Sequence, residues 1–527
     1  MEFNENNNRW EQRKSLWRAT CEIEKREPLL SESIDADVIV IGAGLAGILT
    51  AYMLRENDIN VIVLEANEIG SGMTQNTTAK ITSQHDLIYN KLIQDLGRKK
   101  AKQYADLNEW AIGKYWEIVR DKNIDCDLVE KPAYLYTMED KGVNSIQEEA
   151  EAASDLGIEA TFLEEKNLQW GLPFLAKAAV RFDHQAQFHP LKFIKTISKD
   201  LTIYEHTKVL NVEEENGMSV LVTERGDITA KHVVFACHYP FINVPGYYFA
   251  RLHQERSYVL ALSEAENLNG MYLCIDQQGF SFRNQGDLLL LGGSGHRTGE
   301  NQQGGCYETL RREAKKWYPY AKELYAWSAQ DCFSIDGVPY IGRYAASTPN
   351  WYVATGFRKW GMTNSMVAAG ILADMIISSM KIEKDTLVLG KNPITPIWNG
   401  SFDQIDDLEN NIYSPQRFTK PVSASDLWKD VKTVSKALLK EIFDIPEEVL
   451  SDVQKGHGGI IEYKGEKIGV YRDNEGKVHM VSTRCTHLGC QLGWNPEELT
   501  WDCPCHGSRF DYKGNLVSGP AVLDLEE

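Results

Sequence analysis

The sequence predicts a large α/β domain followed by a small all-β domain. From residue 37 to about residue 389, strand-like runs alternate with helical patterns, an order typical of α/β proteins. A polar stretch with four prolines between positions 393 and 421 then breaks both patterns. After Gly456 the chain contains short β runs separated by glycine turns. We therefore expect two folded units joined by a linker.

The composition fits an ordinary multidomain globular protein. Of 527 residues, 43% are hydrophobic and 25% are charged. Lys and Arg total 56 against 75 for Asp and Glu, which gives a formal net charge of -19. This acidic balance, without any Lys/Arg block, disfavours nucleic acid and anionic membrane surfaces as partners.

The N-terminal sequence carries no recognisable export signal. The first thirty residues are polar and charged, with neither an apolar signal-peptide core nor a twin-arginine pair. The uncharged stretch 38–54 approaches the length of a membrane span, but its glycines divide it into a strand, a turn and a helix. We expect a cytoplasmic protein with no membrane span.

Four segments follow from these changes in pattern. Residues 1–36 form an N-terminal strap anchored by Trp10, Leu16 and Trp17, and residues 37–390 form the large domain. Residues 391–440 form a linker and docking helix, and residues 441–527 form the small domain. The docking helix is predicted by apolar residues at helical spacing, namely Leu427, Val431, Val434, Leu438 and Ile442.

A glycine-rich turn directly follows the first predicted strand. Residues 37–41 end in a continuous apolar run typical of a buried parallel strand, and Gly42, Gly44 and Gly47 follow as G-x-G-x-x-G. In a dinucleotide site the first glycine makes the bend, the second admits a pyrophosphate, and the third lets helix and strand pack closely. The helix that follows has one apolar face and offers free amides to the phosphates.

The second predicted strand, residues 61–64, ends at Glu65, eighteen residues after Gly47. A carboxylate at this place accepts hydrogen bonds from the adenosine ribose. Strand, helix, second strand and acid together predict a dinucleotide site. The motif by itself does not separate NAD from FAD.

Further segments resemble the family of FAD-dependent D-amino-acid oxidases and dehydrogenases, which includes glycine oxidase. The resemblance covers roughly residues 37–377 and is carried by 70–72 (GSG), 232–236 (HVVFA), 335–342 (IDGVPYIG), 354–357 (ATGF) and 361–363 (GMT). It implies an α/β FAD-binding, Rossmann-like domain interleaved with an antiparallel-sheet substrate domain. Beyond the motif glycines and Glu65, the implied FAD contacts are Thr74, Val209, Gly356, Gly361 and Thr363.

The resemblance also implies how a substrate is held. The family generally binds a substrate carboxylate with an arginine, whose planar fork matches a carboxylate. Arg283 and Arg358 are the candidates for an amine or amino-acid substrate. Either arginine could instead form a structural ion pair or contact the flavin phosphates. We expect the nearby histidines, among them His296, to be structural.

Two cysteine–histidine boxes lie near the C-terminus. Cys485-Thr486-His487 is followed, sixteen residues after the histidine, by Cys503-Pro504-Cys505-His506. Two thiolates and two imidazoles are the ligand set of a Rieske [2Fe-2S] centre, so the predicted ligands are Cys485, His487, Cys503 and His506. A zinc site of two Cys and two His is the alternative, but the spacings do not match a zinc finger.

The extended boxes, C-T-H-L-G-C and C-P-C-H-G-S, resemble the cytochrome bc type of Rieske domain. This resemblance implies a disulfide between Cys490 and Cys505, a hydrogen bond from Ser508 to the cluster, and a shielding loop at Gly519-Pro520. Phe510 replaces a tyrosine of that family. We therefore expect a reduction potential below the upper end of the range of ~-150 to +300 mV.

Together the two halves resemble a bacterial group of Rieske iron-sulfur oxidoreductases across almost the whole chain. We expect a flavoenzyme whose FAD takes two electrons from an amine or amino acid and passes them singly through its cluster to a protein or quinone. The alternative is a non-catalytic redox sensor or electron-transfer adaptor. A Rieske oxygenase is disfavoured, because in that class the Rieske domain comes first and a non-haem iron site follows it.

Overall fold

The computed structural model describes residues 14–29, 34–168, 171–387, 411–417, 453–463 and 465–526. Within these ranges the chain forms a large domain, comprising the described residues from 14 to 417, and a small domain, comprising those from 453 to 526. The predicted docking helix and Trp10 lie outside the described residues.

Eight α-helices lie in the part of the chain that the structure describes, and all belong to the large domain. They are Leu16–Thr20 (α1), Leu45–Arg55 (α2), Tyr89–Leu96 (α3), Arg98–Asp121 (α4), Val143–Asp155 (α5), Pro190–Ile197 (α6), Cys306–Trp317 (α7) and Gly361–Leu387 (α8). Residues Gly361–Lys381 of α8 are long and apolar enough to cross a membrane, but 83% of their most apolar stretch is buried inside the protein. Burial of this kind is typical of a core helix.

An eight-stranded sheet forms the base of the large domain. Its main path, in spatial order, is Val209–Glu215 (β10), Met218–Thr223 (β11), Gly226–Phe235 (β12), Asp35–Ile41 (β1), Val61–Leu64 (β2) and Thr202–Tyr204 (β9). Tyr340–Ala345 (β18) and Thr348–Thr355 (β19) complete it. Its centre is parallel, since β1 pairs in parallel with both β2 and β12.

A second eight-stranded sheet is mostly antiparallel. In spatial order it contains Lys322–Ser334 (β17), Leu252–Ser263 (β13), Leu288–Arg297 (β16), Ser281–Gln285 (β15), Met271–Cys274 (β14), Ala133–Thr137 (β5), Ala178–Phe182 (β7) and Ala160–Glu164 (β6). Its strands come from stretches of chain between those of the first sheet. The predicted interleaving of an α/β domain with an antiparallel sheet is thus confirmed. A small sheet of Lys80–Ile81 (β3), Ala186–Gln187 (β8) and Val129–Glu130 (β4) lies beside them.

The small domain is all-β, as predicted. One antiparallel sheet contains His457–Tyr463 (β20), Glu466–Arg472 (β21) and Val478–Ser482 (β22), and the other contains Gly493–Asn495 (β23), Thr500–Asp502 (β24), Arg509–Asp511 (β25) and Leu516–Ser518 (β26). Trp501, Cys503 and Phe510 are fully buried in its core.

The burial of β1 explains its continuous apolar sequence. Val38 and Val40 belong to one core cluster and Ile39 and Ile41 to another. Because successive side chains of a strand point to opposite faces, the sheet is covered on both sides here. A strand buried on both faces leads directly into the glycine turn, so the turn is held on a rigid element.

Two peripheral segments pack onto the large domain. Trp17 in α1 is fully buried, and its indole Nε1 donates to the Thr77 carbonyl (2.7 Å). Tyr413, from the predicted linker, is also fully buried, and its hydroxyl accepts a hydrogen bond from Asn108 Nδ2 (2.8 Å). Residues 411–417 of the predicted linker therefore belong to the large domain.

Candidate functional site

The three motif glycines form the turn between β1 and α2. Gly42 has φ +107°, a backbone angle that residues other than glycine rarely adopt. A Cβ at this position would lie 2.6 Å from the Ala236 carbonyl oxygen. A Cβ on Gly47 would lie 1.9 Å from the Gly42 oxygen, so α2 and the turn are in close contact. A Cβ on Gly44 would meet only the Thr74 hydroxyl, at 3.5 Å. Gly42 thus makes the bend, Gly44 leaves room for a pyrophosphate, and Gly47 allows helix and strand to pack closely, as the motif predicts.

A cavity of about 790 Å³ lies next to this turn. Seven of the residues predicted to bind FAD line it: Gly42, Gly44, Glu65, Thr74, Val209, Gly356 and Gly361. They come from both ends of the large domain, as the resemblance implies. Small-molecule sites occupy ~300–1,000 Å³, so the cavity is large enough for a cofactor of this kind.

Glu65 is fixed at the cavity wall by main-chain amides. Its Oε2 accepts from the Ala43 amide (2.7 Å) and its Oε1 from the Asn67 amide (2.8 Å). Burial raises the pKa of this carboxyl, and the two hydrogen bonds act in the opposite direction. The carboxylate therefore lies beside the glycine turn, where the sequence predicts a ribose contact.

Two predicted FAD contacts are absent from the cavity wall. Gly47 packs against the turn, as its motif role requires. The Thr363 hydroxyl donates to the Thr82 carbonyl (2.7 Å) and lies 3.4 Å from His85 Nε2. The Thr363 hydroxyl is thus used within the protein, and a cofactor contact at this position stays a prediction.

The two predicted substrate arginines lie in different environments. Arg283 in β15 is fully buried, and its guanidinium donates to the carbonyl oxygens of Thr78 (2.9 Å) and Ala79 (2.7 Å), and also to Asn284 and Gln285. The prediction that Arg283 binds a substrate carboxylate is therefore corrected, because its donors are used within the protein.

Arg358 remains a candidate. It lines the cavity, with φ +54°, and its main-chain amide donates to the Cys332 carbonyl (2.7 Å). This bond ties the turn that carries Arg358 to β17, one residue from Asp331. The guanidinium itself lies over the Phe333 ring, with Cζ 5.4 Å from the ring centroid.

Sequence reasoning missed polar residues on β13 and β17. Those lining the cavity are Gln254, Arg256, Ser328, Gln330 and Asp331. The signal was a strand face on which Gln254 and Arg256, both 2% exposed, lie between the apolar residues Leu252 and Tyr258. Burial, together with the nearby Glu255, raises the pKa of Asp331 to about 7, although Lys359 acts against this shift.

The four predicted cluster ligands lie in the two loops of the small domain. Cys485 and Cys503 are buried, and the rings of His487 and His506 stand at 90° with centroids 5.0 Å apart. The Nδ1 atom of each ring is buried and has no hydrogen-bond partner among the described residues. Unpaired buried polar atoms are rare, and two on neighbouring rings suit a metal cluster held by both imidazoles. The residues therefore fit a [2Fe-2S] cluster.

The protonation of the histidines also suits metal ligation. Burial lowers the pKa of His487 to about 3 and that of His506 to about 4. Both rings are neutral at physiological pH, and the neutral imidazole is the form that ligates a metal.

The residues around the ligands agree with the predicted Rieske type. The disulfide between Cys490 and Cys505 is present, and its sulfur atoms lie within 4.8 Å of Cys503 Sγ. The Ser508 hydroxyl accepts from the Ala521 amide (3.0 Å) and so holds the loop that contains Pro520. These contacts join the two ligand loops and the proline loop into one unit.

The cluster loops lie directly against the large domain. Gln254 Nε2 donates to the carbonyl oxygens of His506 (2.7 Å) and Gly519 (3.2 Å). Gln330 Nε2 donates to the Gly507 carbonyl (2.8 Å). Residues 516–522 of the small domain line the same cavity as Gly42. The small domain thus supplies part of the cavity wall.

Comparison with known proteins agrees with this geometry. Residues 37–375 match the model of the FAD dependent oxidoreductase family, and residues 446–527 match that of the Rieske [2Fe-2S] domain. The chain is 37% identical over 511 residues to YhfW of Bacillus subtilis, which bears the name of a Rieske 2Fe-2S iron-sulfur protein. That alignment covers 95% of this chain and 94% of the relative.

Two further proteins resemble the large domain. The gamma-glutamylputrescine oxidoreductase of Escherichia coli is 24% identical over 371 residues, which cover 66% of this chain and 85% of that protein. The crystal structure of glycine oxidase from Geobacillus kaustophilus matches with a TM-score of 0.56 at 18% identity, covering 65% of this chain and 95% of that one. The latter likeness shows a shared fold.

Proposed function

The chain belongs to the FAD-dependent oxidoreductase family and carries a C-terminal Rieske [2Fe-2S] domain, and from this premise we propose that it oxidises an amine or amino acid at FAD and passes the electrons through its own cluster to an external acceptor. Its cofactors are FAD and one [2Fe-2S] cluster.

The observation that carries the proposal is the shared cavity wall. Residues 516–522 of the small domain line the cavity that holds the FAD motif residues. Gln254 lines that cavity and also hydrogen-bonds the carbonyl of the cluster ligand His506. A single side chain thus contacts both cofactor sites, which supports electron transfer within one chain.

The charges on the cavity wall support an amino-acid substrate. Arg358 and Lys359 suit a carboxylate, and Asp331 suits an ammonium group. Oxidation would remove a hydride from carbon and a proton from nitrogen, giving an imine that water hydrolyses. The two electrons then leave singly through the cluster, so two equivalents of a one-electron acceptor are consumed per substrate.

Anaerobic mixing with a panel of amines and amino acids tests the first half of the proposal. At least one compound should bleach the flavin absorbance. Bleaching only by protein or nicotinamide donors would instead favour the electron-transfer adaptor.

Cluster variants test the second half. His487→Ala and His506→Ala should lose the cluster, keep single-turnover bleaching, and reduce a bulky one-electron acceptor far more slowly. His184→Ala, at an exposed histidine of the large domain, is the control and should behave as wild type. Unimpaired turnover with a bulky acceptor in the cluster variants would remove the cluster from the electron path.

A further inference from the structure

Asn243 of the large domain contacts a cluster ligand of the small domain. Its Oδ1 lies 2.8 Å from His487 Nε2, across 244 positions of sequence. Asn243 lies in the loop that follows β12, outside the glycine motif and absent from the cavity wall. Neither cofactor motif predicts a role for it.

The geometry fixes what each nitrogen of His487 does. A carbonyl oxygen can only accept a hydrogen bond, so His487 Nε2 carries the proton and donates to Asn243. The neutral ring then has its lone pair on Nδ1, and this atom is buried without a partner among the residues described. Asn243 therefore selects the tautomer that leaves Nδ1 free for iron.

The second histidine is held differently. His506 lies against two aromatic rings of the large domain, those of Tyr239 and Phe249, whose centroids are 6.4 Å and 6.1 Å from its own. Neither ring offers the amide oxygen that Asn243 offers to His487. The contact at His487 is thus one that a single substitution can tune.

We propose that Asn243 is a positioning residue that lowers the reduction potential of the Rieske cluster when the two domains are docked. Accepting the Nε2 proton makes the imidazole a stronger donor and so favours the oxidised iron. Reduction also adds negative charge near the Asn243 oxygen, in surroundings of low dielectric. The proposal requires the cluster but not the amine substrate. It can therefore fail while the proposed function stands, and the proposed function can fail while this proposal stands.

The consequence is a link between docking and potential. A small domain that leaves the large domain loses the Asn243 contact, and its cluster becomes the stronger oxidant. An acceptor that needs the His487 proton has to displace Asn243 first.

Redox titration of the full-length protein, followed by the EPR signal of the reduced cluster, tests this proposal. Asn243→Leu removes the acceptor at similar size and should raise the midpoint potential. Asn243→Asp offers a charged acceptor and should lower it. Glu497→Gln is the matched control, since Glu497 accepts hydrogen bonds from the amides of Cys306 (3.1 Å) and Tyr307 (3.2 Å) across the same boundary without touching a ligand ring.

Opposite shifts in the two Asn243 variants, with no shift in the control, support the proposal. Unchanged potentials, or shifts in the same direction, overturn it. Pulsed EPR supplies a second readout that does not require the Leu variant to retain its cluster. The nitrogen coupling of one histidine should change in Asn243→Asp and stay constant in Glu497→Gln, and identical couplings in both variants also overturn the proposal.

Discussion

Arg256 of the large domain and Glu498 of the small domain form a buried ion pair across the domain boundary. Their side chains are 2% and 9% exposed, and Glu498 also accepts hydrogen bonds from Ser328 and Arg509. Burial opposes the charge on Glu498, but Arg256 and Arg509 outweigh burial and lower the pKa of this carboxyl to about 2. The docked arrangement thus depends on charges that are shielded from water.

Removing one partner of this pair should loosen the docked domains. Breaking a buried ion pair in this way costs ~3–5 kcal/mol, because the other charge stays buried and unpaired. Glu498→Gln should therefore lower the midpoint of thermal unfolding and speed proteolysis between the domains. As a control, Asp155→Asn breaks a pair with Arg98 that is 61% and 67% exposed, and should cost less than ~1 kcal/mol. Equal effects would contradict the role of Glu498.

The same carboxyl predicts a specific acid sensitivity. A pKa of about 2 in the folded protein, below the ordinary 4.5, adds stability that is present above about pH 4.5 and is lost as the pH falls toward 2. Glu498→Gln should lack this part of the pH dependence. Denaturant unfolding of both proteins across that window measures it, and parallel curves would argue against the assignment.

Substitutions at Gly44 and at Gly47 should abolish FAD binding for two different reasons. In Gly44→Val the added Cβ meets only the Thr74 hydroxyl at 3.5 Å, so the domain should fold while the pyrophosphate loses its approach. In Gly47→Val the Cβ would lie 1.9 Å from the Gly42 oxygen, so the domain itself should be destabilised. Circular dichroism and flavin absorbance separate the two outcomes. Stoichiometric flavin in folded Gly44→Val would disprove the site.

Substitution of Arg283 should lower the stability of the protein, whereas substitution of Arg358 should weaken substrate binding. Arg283→Met removes the donor of the Thr78 carbonyl and one of the two donors of the Ala79 carbonyl, and should lower stability by ~1–3 kcal/mol. Arg358→Met should keep the melting temperature but weaken substrate binding about tenfold or more, because a charge-assisted hydrogen bond contributes ~1.5–3 kcal/mol. Anaerobic flavin titration gives both affinities. An equal loss of affinity in the two variants would contradict this division of roles.

The parts of the site that could be predicted from the sequence are those with local chemistry. The G-x-G-x-x-G turn and the two cysteine–histidine boxes each place their ligating groups within a few residues, so spacing determines function. Arg283 shows the limit of this reasoning. Its partner carbonyls lie about 200 positions away, and no local pattern reveals that its donors are already used.

The contacts between the domains were beyond sequence reasoning for a similar reason. Asn243 and His487 are 244 positions apart, and Arg256 and Glu498 are 242 apart. Each residue alone is ordinary for a loop or strand, and its role arises only when two separately folded surfaces meet.

Asp331 places a titrating group on the cavity wall. It pairs in register with Glu255 across the antiparallel strands β13 and β17. Burial, with the repulsion of Glu255, raises the pKa of Asp331 to about 7, so the carboxyl is neutral below about pH 7 and ionised above it. Only the ionised form can pair with a substrate ammonium and accept its proton.

The rate of anaerobic flavin reduction by an amino acid should therefore rise through about pH 7, and stopped-flow absorbance measures it. Asp331→Asn should remove this inflection and slow reduction by ~10²–10⁴, the usual effect of a general base. Glu255→Gln removes the repulsion that raises the pKa of Asp331, so it should move the inflection to lower pH without abolishing it. An inflection that survives Asp331→Asn would assign the titration to another group, because the amide cannot ionise.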